Sequence, residues 1–167
     1  MGRESLERLE QELTLRCVEA LGSNLVALAF FGSWARGEEL EWSDIDVLLI
    51  ARELPKHPFE RNRLVYEPIE NWVEKPRSIS ILARTVEEFT TDVTPLHLDL
   101  AADAIVFYDP EGFLTSKLTT VQGLIKEASL ARERDSNGLL AWWWEEGAEP
   151  TPGQWTITWE GVKVGRR

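Results

Sequence analysis

A chain of 167 residues, 43% of them hydrophobic and 28% charged, is long enough to bury most of the surface its unfolded form exposes, which favours one soluble globular domain. A formal net charge of −11 repels polyanions and disfavours extended, sequence-independent binding to nucleic acid. No apolar run reaches the ~18 residues of a membrane span, MGRESLERLE is too charged for a secretion signal, and Leu6 stands where a myristoylation pattern needs Ser or Thr, so the expected compartment is the cytoplasm.

Leu6, Leu9, Leu13, Cys17 and Ala20 recur at steps of three and four and predict an amphipathic helix stopped by GSN at 22–24. Cys17 is the lone cysteine, which rules out an internal disulfide and a cysteine metal cage and makes it a small core residue. LVALAFF at 25–31 is a continuous apolar run of strand length, expected to be covered on both faces. WSDIDVLLIA at 42–51 is a second strand, paired with the first as a hairpin or as an adjacent strand. Residues 59–73 suit a helix interrupted at Pro68. SISILA at 78–83 alternates like a strand, and TVEEF at 85–89 opens a helix with Thr85 as cap and Glu88 three residues on.

HLDLAADAIVFYD at 97–109 passes from helix to a short strand or turn, and Leu114, Leu118, Val121, Ile125 and Ala128 keep a helical stripe that DSNG at 135–138 ends. The tryptophan-rich remainder reads as a hairpin or meander, a β extension over 136–167 of the single domain 1–167. On a strand Trp142 and Trp144 share one face and Trp143 the other, and Trp155, Ile157 and Trp159 alternate. Aromatic packing is favoured over a base-stacking platform for these rings. The basic residues Arg52, Lys56, Arg61, Arg63, Lys75, Arg77 and Arg84 are interleaved with glutamates and read as a mixed-charge surface.

The informative stretch is Gly32 to Asp46, GSWARGEELEWSDID. If Asp44 and Asp46 lie on a strand they project from the same face, about 6.6 Å apart along the chain. Two carboxylates beside a buried strand repel each other and lose solvation unless a cation or hydrogen-bond donors compensate. Oxygen-only ligands select a hard ion, Mg²⁺ or Mn²⁺, which commonly arrives with phosphates. At the end of the preceding strand, Gly32 lets a phosphate approach the backbone. Ser33 adds a hydroxyl, and a helix opened over SWARG turns free N–H groups toward an anion. Arg36 either meets phosphate or pairs with a carboxylate. The stretch lacks the GK[ST] ending of a P-loop.

These positions, Gly32, Ser33, Arg36, Gly37, Ser43, Asp44 and Asp46, resemble the G-S-x-x-R-G and S-D-x-D signature of the DNA polymerase β-like nucleotidyltransferase superfamily, closest to its small stand-alone prokaryotic members. The resemblance implies an α/β (α+β) fold, a mixed β-sheet flanked by helices. It also implies a nucleoside triphosphate held by its phosphates near Gly32 and Ser33, with Arg36, Gly37 and Ser43 in the same nucleotide-binding segment. It further implies that Asp44 and Asp46 are catalytic metal ligands, for Mg²⁺ or Mn²⁺, and that two such ions about 3.5–4 Å apart stabilise the attacking and leaving oxygens. The implied reaction moves a nucleoside monophosphate to an unidentified acceptor and releases pyrophosphate.

The family's third carboxylate stands on the strand beside the Asp-x-Asp pair, where this chain reads SISIL, with Ser78 and Ser80 on one face. Either that strand is misplaced and Glu67, Glu74 or Asp99 completes the site, or turnover is weakened or lost. Asp99 is expected to face solvent, as is His57 in its proline-rich loop, and His57 and His97 have no ligand spacing. The alternative to an enzyme is therefore a regulatory or antitoxin-like partner in a two-protein module. A nucleic-acid-binding module fits the acidic balance least. A homodimer through the apolar tail is compatible with the sequence.

Overall fold

The computed structural model describes residues 3–40, 43–70, 72, 78–148 and 155–164. Helix α1 (Arg3–Leu21) buries Leu9, Leu13, Cys17 and Leu21, one apolar side chain per turn. Burial pushes the Cys17 thiol up to about 11. The chain turns at Gly22–Asn24 and enters β1 (Leu25–Phe31), every residue of which is buried except Phe31. Strand β2 (Ile45–Ala51) returns antiparallel to β1, with Leu25 opposite Ala51 and Phe31 opposite Asp46. The Asn24 side chain fastens the far end of this pair, donating to the Glu53 carbonyl at 2.9 Å and accepting from the Glu53 N–H at 2.8 Å.

Between the two strands a single turn, α2 (Gly32–Ala35), is anchored by Trp34, whose buried ring meets Phe30 edge to face at 4.8 Å. This turn is shorter than the helix expected over SWARG.

Helix α3 (Pro58–Glu70) is the crossover from β2 to β3 (Ile79–Thr85), which runs parallel to β2. Pro68 does not end α3, which continues to Glu70, and the Pro68 carbonyl accepts from Arg16 Nη1 at 3.3 Å. At the end of β3 the expected capping box is present. Thr85 Oγ1 accepts from the Glu88 N–H and Glu88 Oε2 from the Thr85 N–H, both at 3.0 Å, opening α4 (Val86–Thr90). Glu88 also takes both arms of the Arg61 guanidinium, at 2.8 and 2.9 Å, and this pairing holds its carboxyl below the ordinary glutamate range. Thr85→Ala removes one half of the box, and a loss of about 1 kcal/mol is expected, with Thr85→Ser close to wild type. The urea unfolding midpoints of the three proteins check this.

Helix α5 (Pro95–Asp103) leads into β4 (Ile105–Tyr108), which pairs antiparallel with the free edge of β1 and completes a sheet of order β3-β2-β1-β4. The sheet is mixed and helix-flanked, as expected. Leu28 and Phe30 of β1, Val47 and Leu49 of β2 and Ile79 and Ala83 of β3 share a core with Leu9, Leu13 and Cys17 of α1 and Val65 and Ile69 of α3. Strand alternation turns Asp46 and Ser80 to the opposite face.

The chain divides into two compact units, Met1–Phe89 with Asp103–Thr115, and Thr90–Ala102 with Ser116–Arg167. Helix α6 (Phe113–Glu127) buries Leu114, Leu118, Val121 and Leu124; the stripe shifts to Leu124, and Ile125 is only half-buried. The helix ends before DSNG. Ser129 adopts φ 49°, and the residues after it form an unexpected strand, β5 (Leu130–Arg134), paired with β6 (Leu140–Trp144). DSNG is the turn between them, with the Asp135 carboxylate accepting from the Asn137 and Leu139 N–H groups.

Trp143 is 53% exposed, whereas Trp142 and Trp144 line a cavity in the second unit with Leu98, Leu130 and Ile157. The two faces of β6 therefore differ as the alternation requires. The second hairpin, β7 (Trp155–Thr158) and β8 (Gly161–Val164), leaves Trp159 in its turn, so the strand alternation stops at Ile157. Among the described residues no helix is long and apolar enough to cross a membrane.

Candidate functional site

Gly32 leaves β1 at φ +73°, a conformation that costs an L side chain energy and glycine little. Its α-carbon faces the Asp46 carboxylate so closely that a β-carbon there would stand 3.2 Å from Asp46 Cγ and inside contact distance of Oδ2. The missing side chain is thus what lets the acid lie against the strand-to-helix turn. Beyond α2 the chain closes a small loop: Gly37 N–H donates to the Trp34 carbonyl at 3.1 Å and Glu38 N–H to the Ser33 carbonyl at 2.9 Å. Gly37, at φ +69°, redirects the backbone there.

Ser43 uses its polar atoms within its own loop. Its Oγ accepts from the Leu40 N–H at 2.9 Å, and its N–H donates to the Leu40 carbonyl at 3.0 Å. The next residue, Asp44, is exposed and precedes the strand, which begins at Ile45, so the same-face strand geometry expected for both acids applies only to Asp46. The two are nevertheless electrostatic neighbours. Burial raises the Asp46 carboxyl above its ordinary value, Asp44 pushes it the same way, and Arg36 opposes both.

Arg36 makes the carboxylate pairing, its Nε meeting Glu38 Oε2 at 2.9 Å and its Nη1 meeting Asp103 Oδ2 at 3.4 Å. Glu38 could be guessed from its place two residues on. Asp103 gave no signal, since 67 positions separate it from Arg36. The turn therefore brings Gly32, Asp46 and Asp44 together with the Arg36 charge, while Gly37 and Ser43 shape the backbone that presents them. Ser33 is half-buried at the head of the turn.

Beside Asp46 on β3 stands Ser80, its direct partner in the parallel register. The strand was correctly placed, and a hydroxyl occupies the flank where an acid was sought. None of the substitutes fills it among the described residues. Glu67 lies on the exposed face of α3, and Asp99 belongs to the second unit, where its Oδ1 accepts from Trp142 Nε1 at 2.9 Å and Arg132 Nη1 at 3.3 Å. Asp99 is thus tied to its neighbours and does not simply face solvent. Glu74 lies outside the described residues, as do Lys75 and Arg77 of the basic series. His57 is exposed, and His97 is buried, its Nδ1 accepting from the Thr94 N–H at 3.0 Å. Among the described residues no three His, Cys, Asp or Glu side chains form a metal-holding group.

A mixed sheet with an acid pressed against a glycine turn at the mouth of β1 and β2 is the arrangement that the sequence comparison assigns to a family. Residues 12–108, a span that includes all four strands of the sheet, match the nucleotidyltransferase domain family, and the chain belongs to it. It is 27% identical over 128 residues to the Methanocaldococcus jannaschii protein named "Putative protein adenylyltransferase MJ1305", covering 75% of this chain and 87% of that one. Among solved structures, a Sulfolobus solfataricus protein described as a "putative nucleotidyltransferase" is 26% identical, with a TM-score of 0.42 over 66% of this chain and 92% of that one. A chain from the tri-AMPylated Shewanella oneidensis HEPN toxin in complex with MNT antitoxin is 14% identical, with a TM-score of 0.43 over 72% and 90%.

Proposed function

We propose that this nucleotidyltransferase transfers AMP from ATP to a hydroxyl of a protein acceptor in the cytoplasm. The observation that carries the reading is the contact between Gly32 and Asp46, which puts a side-chain-free backbone turn and a metal-ligating acid type in one place. Adenine and a protein acceptor are suggested by the name of the M. jannaschii relative.

In this reading the backbone at Gly32 and the hydroxyl of Ser33 receive the triphosphate. Asp44 and Asp46, an oxygen-only donor pair, fit Mg²⁺ or Mn²⁺. A cation held by Asp44 and Asp46 would screen the phosphates and favour departure of pyrophosphate. The acceptor oxygen attacks the α-phosphorus, its proton passes to solvent or a nearby base, and the bond from that phosphorus to the β-phosphate bridging oxygen breaks. Arg36 holds the loop through Glu38 and Asp103 and tempers the charge on Asp46.

With Mg²⁺ and a heat-inactivated cell lysate as acceptor, label from the α-position of ATP is expected to enter protein and label from the γ-position is not. Both signals absent, together with no calorimetric binding of any of the four ribonucleoside triphosphates, overturns the reading.

Ser80 beside Asp46 favours a second reading, a nucleotide-binding regulatory partner with little turnover. Metal-dependent ATP binding without label transfer, by a protein that isolates from its source in a heteromeric complex, is the result that selects it.

A further inference from the structure

We infer that the site holds one divalent cation, and that the hydroxyl of Ser80 on the flank of Asp46 is what limits it to one. The inference rests on the nucleotidyltransferase reading and asks what the neighbours of Asp46 can contribute.

Strand pairing gives Asp46 two lateral neighbours on its face of the sheet, Ser80 on β3 and Phe31 on β1, each about 4.8 Å away in the hydrogen-bonding direction. One offers a neutral hydroxyl and the other an apolar ring. The next residue after Phe31 is Gly32, which has no side chain. A hard dication needs several oxygen ligands, and anionic ones carry most of the affinity. Asp44 and Asp46 can share one such ion. A second ion, about 3.5–4 Å away in a two-metal site, would need an acid at the Ser80 position or from another segment.

Among the described carboxylates, Glu38 and Asp103 are engaged by Arg36 at 2.9 and 3.4 Å. Arg36 stays charged and competes with any cation for them. The two-cation arrangement implied by the family resemblance therefore does not fit the described side chains, whereas a single cation does. The consequence is a site that still takes up metal and triphosphate but activates the acceptor weakly.

The test counts Mn²⁺ by the electron paramagnetic resonance signal of the free ion, with equimolar protein and the non-hydrolysable α,β-methylene-ATP. One Mn²⁺ per protein–nucleotide complex is expected for the wild type, and two for Ser80→Asp. Two bound to the wild-type protein overturn the inference, and so does a count of one that Ser80→Asp leaves unchanged. The wild-type count stands alone if the variant fails to fold, which its far-ultraviolet circular dichroism reports. Because the triphosphate chelates Mn²⁺ on its own, calorimetric titration of the analogue into the protein reports binding separately, and no binding there means that the nucleotidyltransferase reading itself fails, a result distinguishable from a bound complex with the wrong metal count.

Discussion

Asp46→Asn is expected to abolish Mg²⁺-dependent transfer while making the ligand-free protein slightly more stable. The amide keeps the shape of the carboxylate beside Gly32 but cannot supply an anionic ligand, and loss of several kcal/mol of transition-state stabilisation corresponds to at least ~10³-fold in rate. The opposite sign on stability follows from the position of the acid. Its folded-state pKa is raised by burial and by Asp44, so the folded protein binds the proton more tightly than the unfolded chain does. Stability then falls as pH rises from the unfolded pKa through the raised folded one, and the full penalty is present at neutral pH.

Removing the charge removes that penalty. Because Asp46 is partly solvated, screening keeps the gain small, roughly 1–3 °C in melting temperature at pH 7. The gain shrinks as pH drops below the ordinary carboxylate range, where wild-type Asp46 is protonated in both states. Adding Mg²⁺ and ATP reverses the order of the two proteins, since only the wild type gains ligand stabilisation. Thermal melts at several pH values, with and without ligand, check all three signs. A variant less stable than wild type at pH 7 without ligand would show that Asp46 is fully compensated in the free protein.

Gly32→Ala separates conformation from contact. At φ +73° a β-carbon costs about 1–2 kcal/mol, a fall of roughly 2–8 °C in melting temperature. The β-carbon also meets the Asp46 carboxylate, the movable end of a side chain, so that acid swings aside and little further stability is lost. The site suffers more than the fold: transfer is expected to drop at least ~10²-fold, because metal geometry tolerates little displacement. In an Asp46→Ala background the same glycine substitution should cost only its backbone term. A double-mutant cycle on melting temperature and nucleotide affinity measures the coupling. Absence of coupling in affinity would detach Gly32 from the role given to Asp46.

The motif was readable because its parts lie within the fifteen residues Gly32 to Asp46 and each obeys a local rule: a glycine that must turn at the end of one apolar strand, and acids at the entrance of a second. Ser80 was readable for the same reason, since SISIL alternates and the strand holding it was placed correctly. The capping box at Thr85 and Glu88 is likewise a local signal. What escaped was set by distance or by weak local preference. Nothing in the order of residues ties Asp99 to Trp142, 43 positions away, or Arg36 to Asp103. Strand β5 reads LARER, charged and short, and it exists because β6 pairs with it; Ser129, just past the end of α6, takes a left-handed conformation that serine seldom adopts.

The two-unit division has a consequence for any attempt to take the protein apart. Residues 90–102 belong with the tryptophan-rich tail, yet in the chain they are inserted between Phe89 and Asp103 of the sheet-bearing unit. Leu98 shares its cavity with Leu130, Trp142 and Trp144, and His97 meets the Trp159 ring edge-on at 5.3 Å. A cut after Thr115 therefore does not release a tail from a finished domain. It deprives α5 of the aromatic partners that cover it, while β4, the strand immediately after α5, still has to pair with β1. Trimming from the C-terminal end therefore removes contacts of α5, first with Trp159 and then with Trp142, before it reaches the end of the sheet.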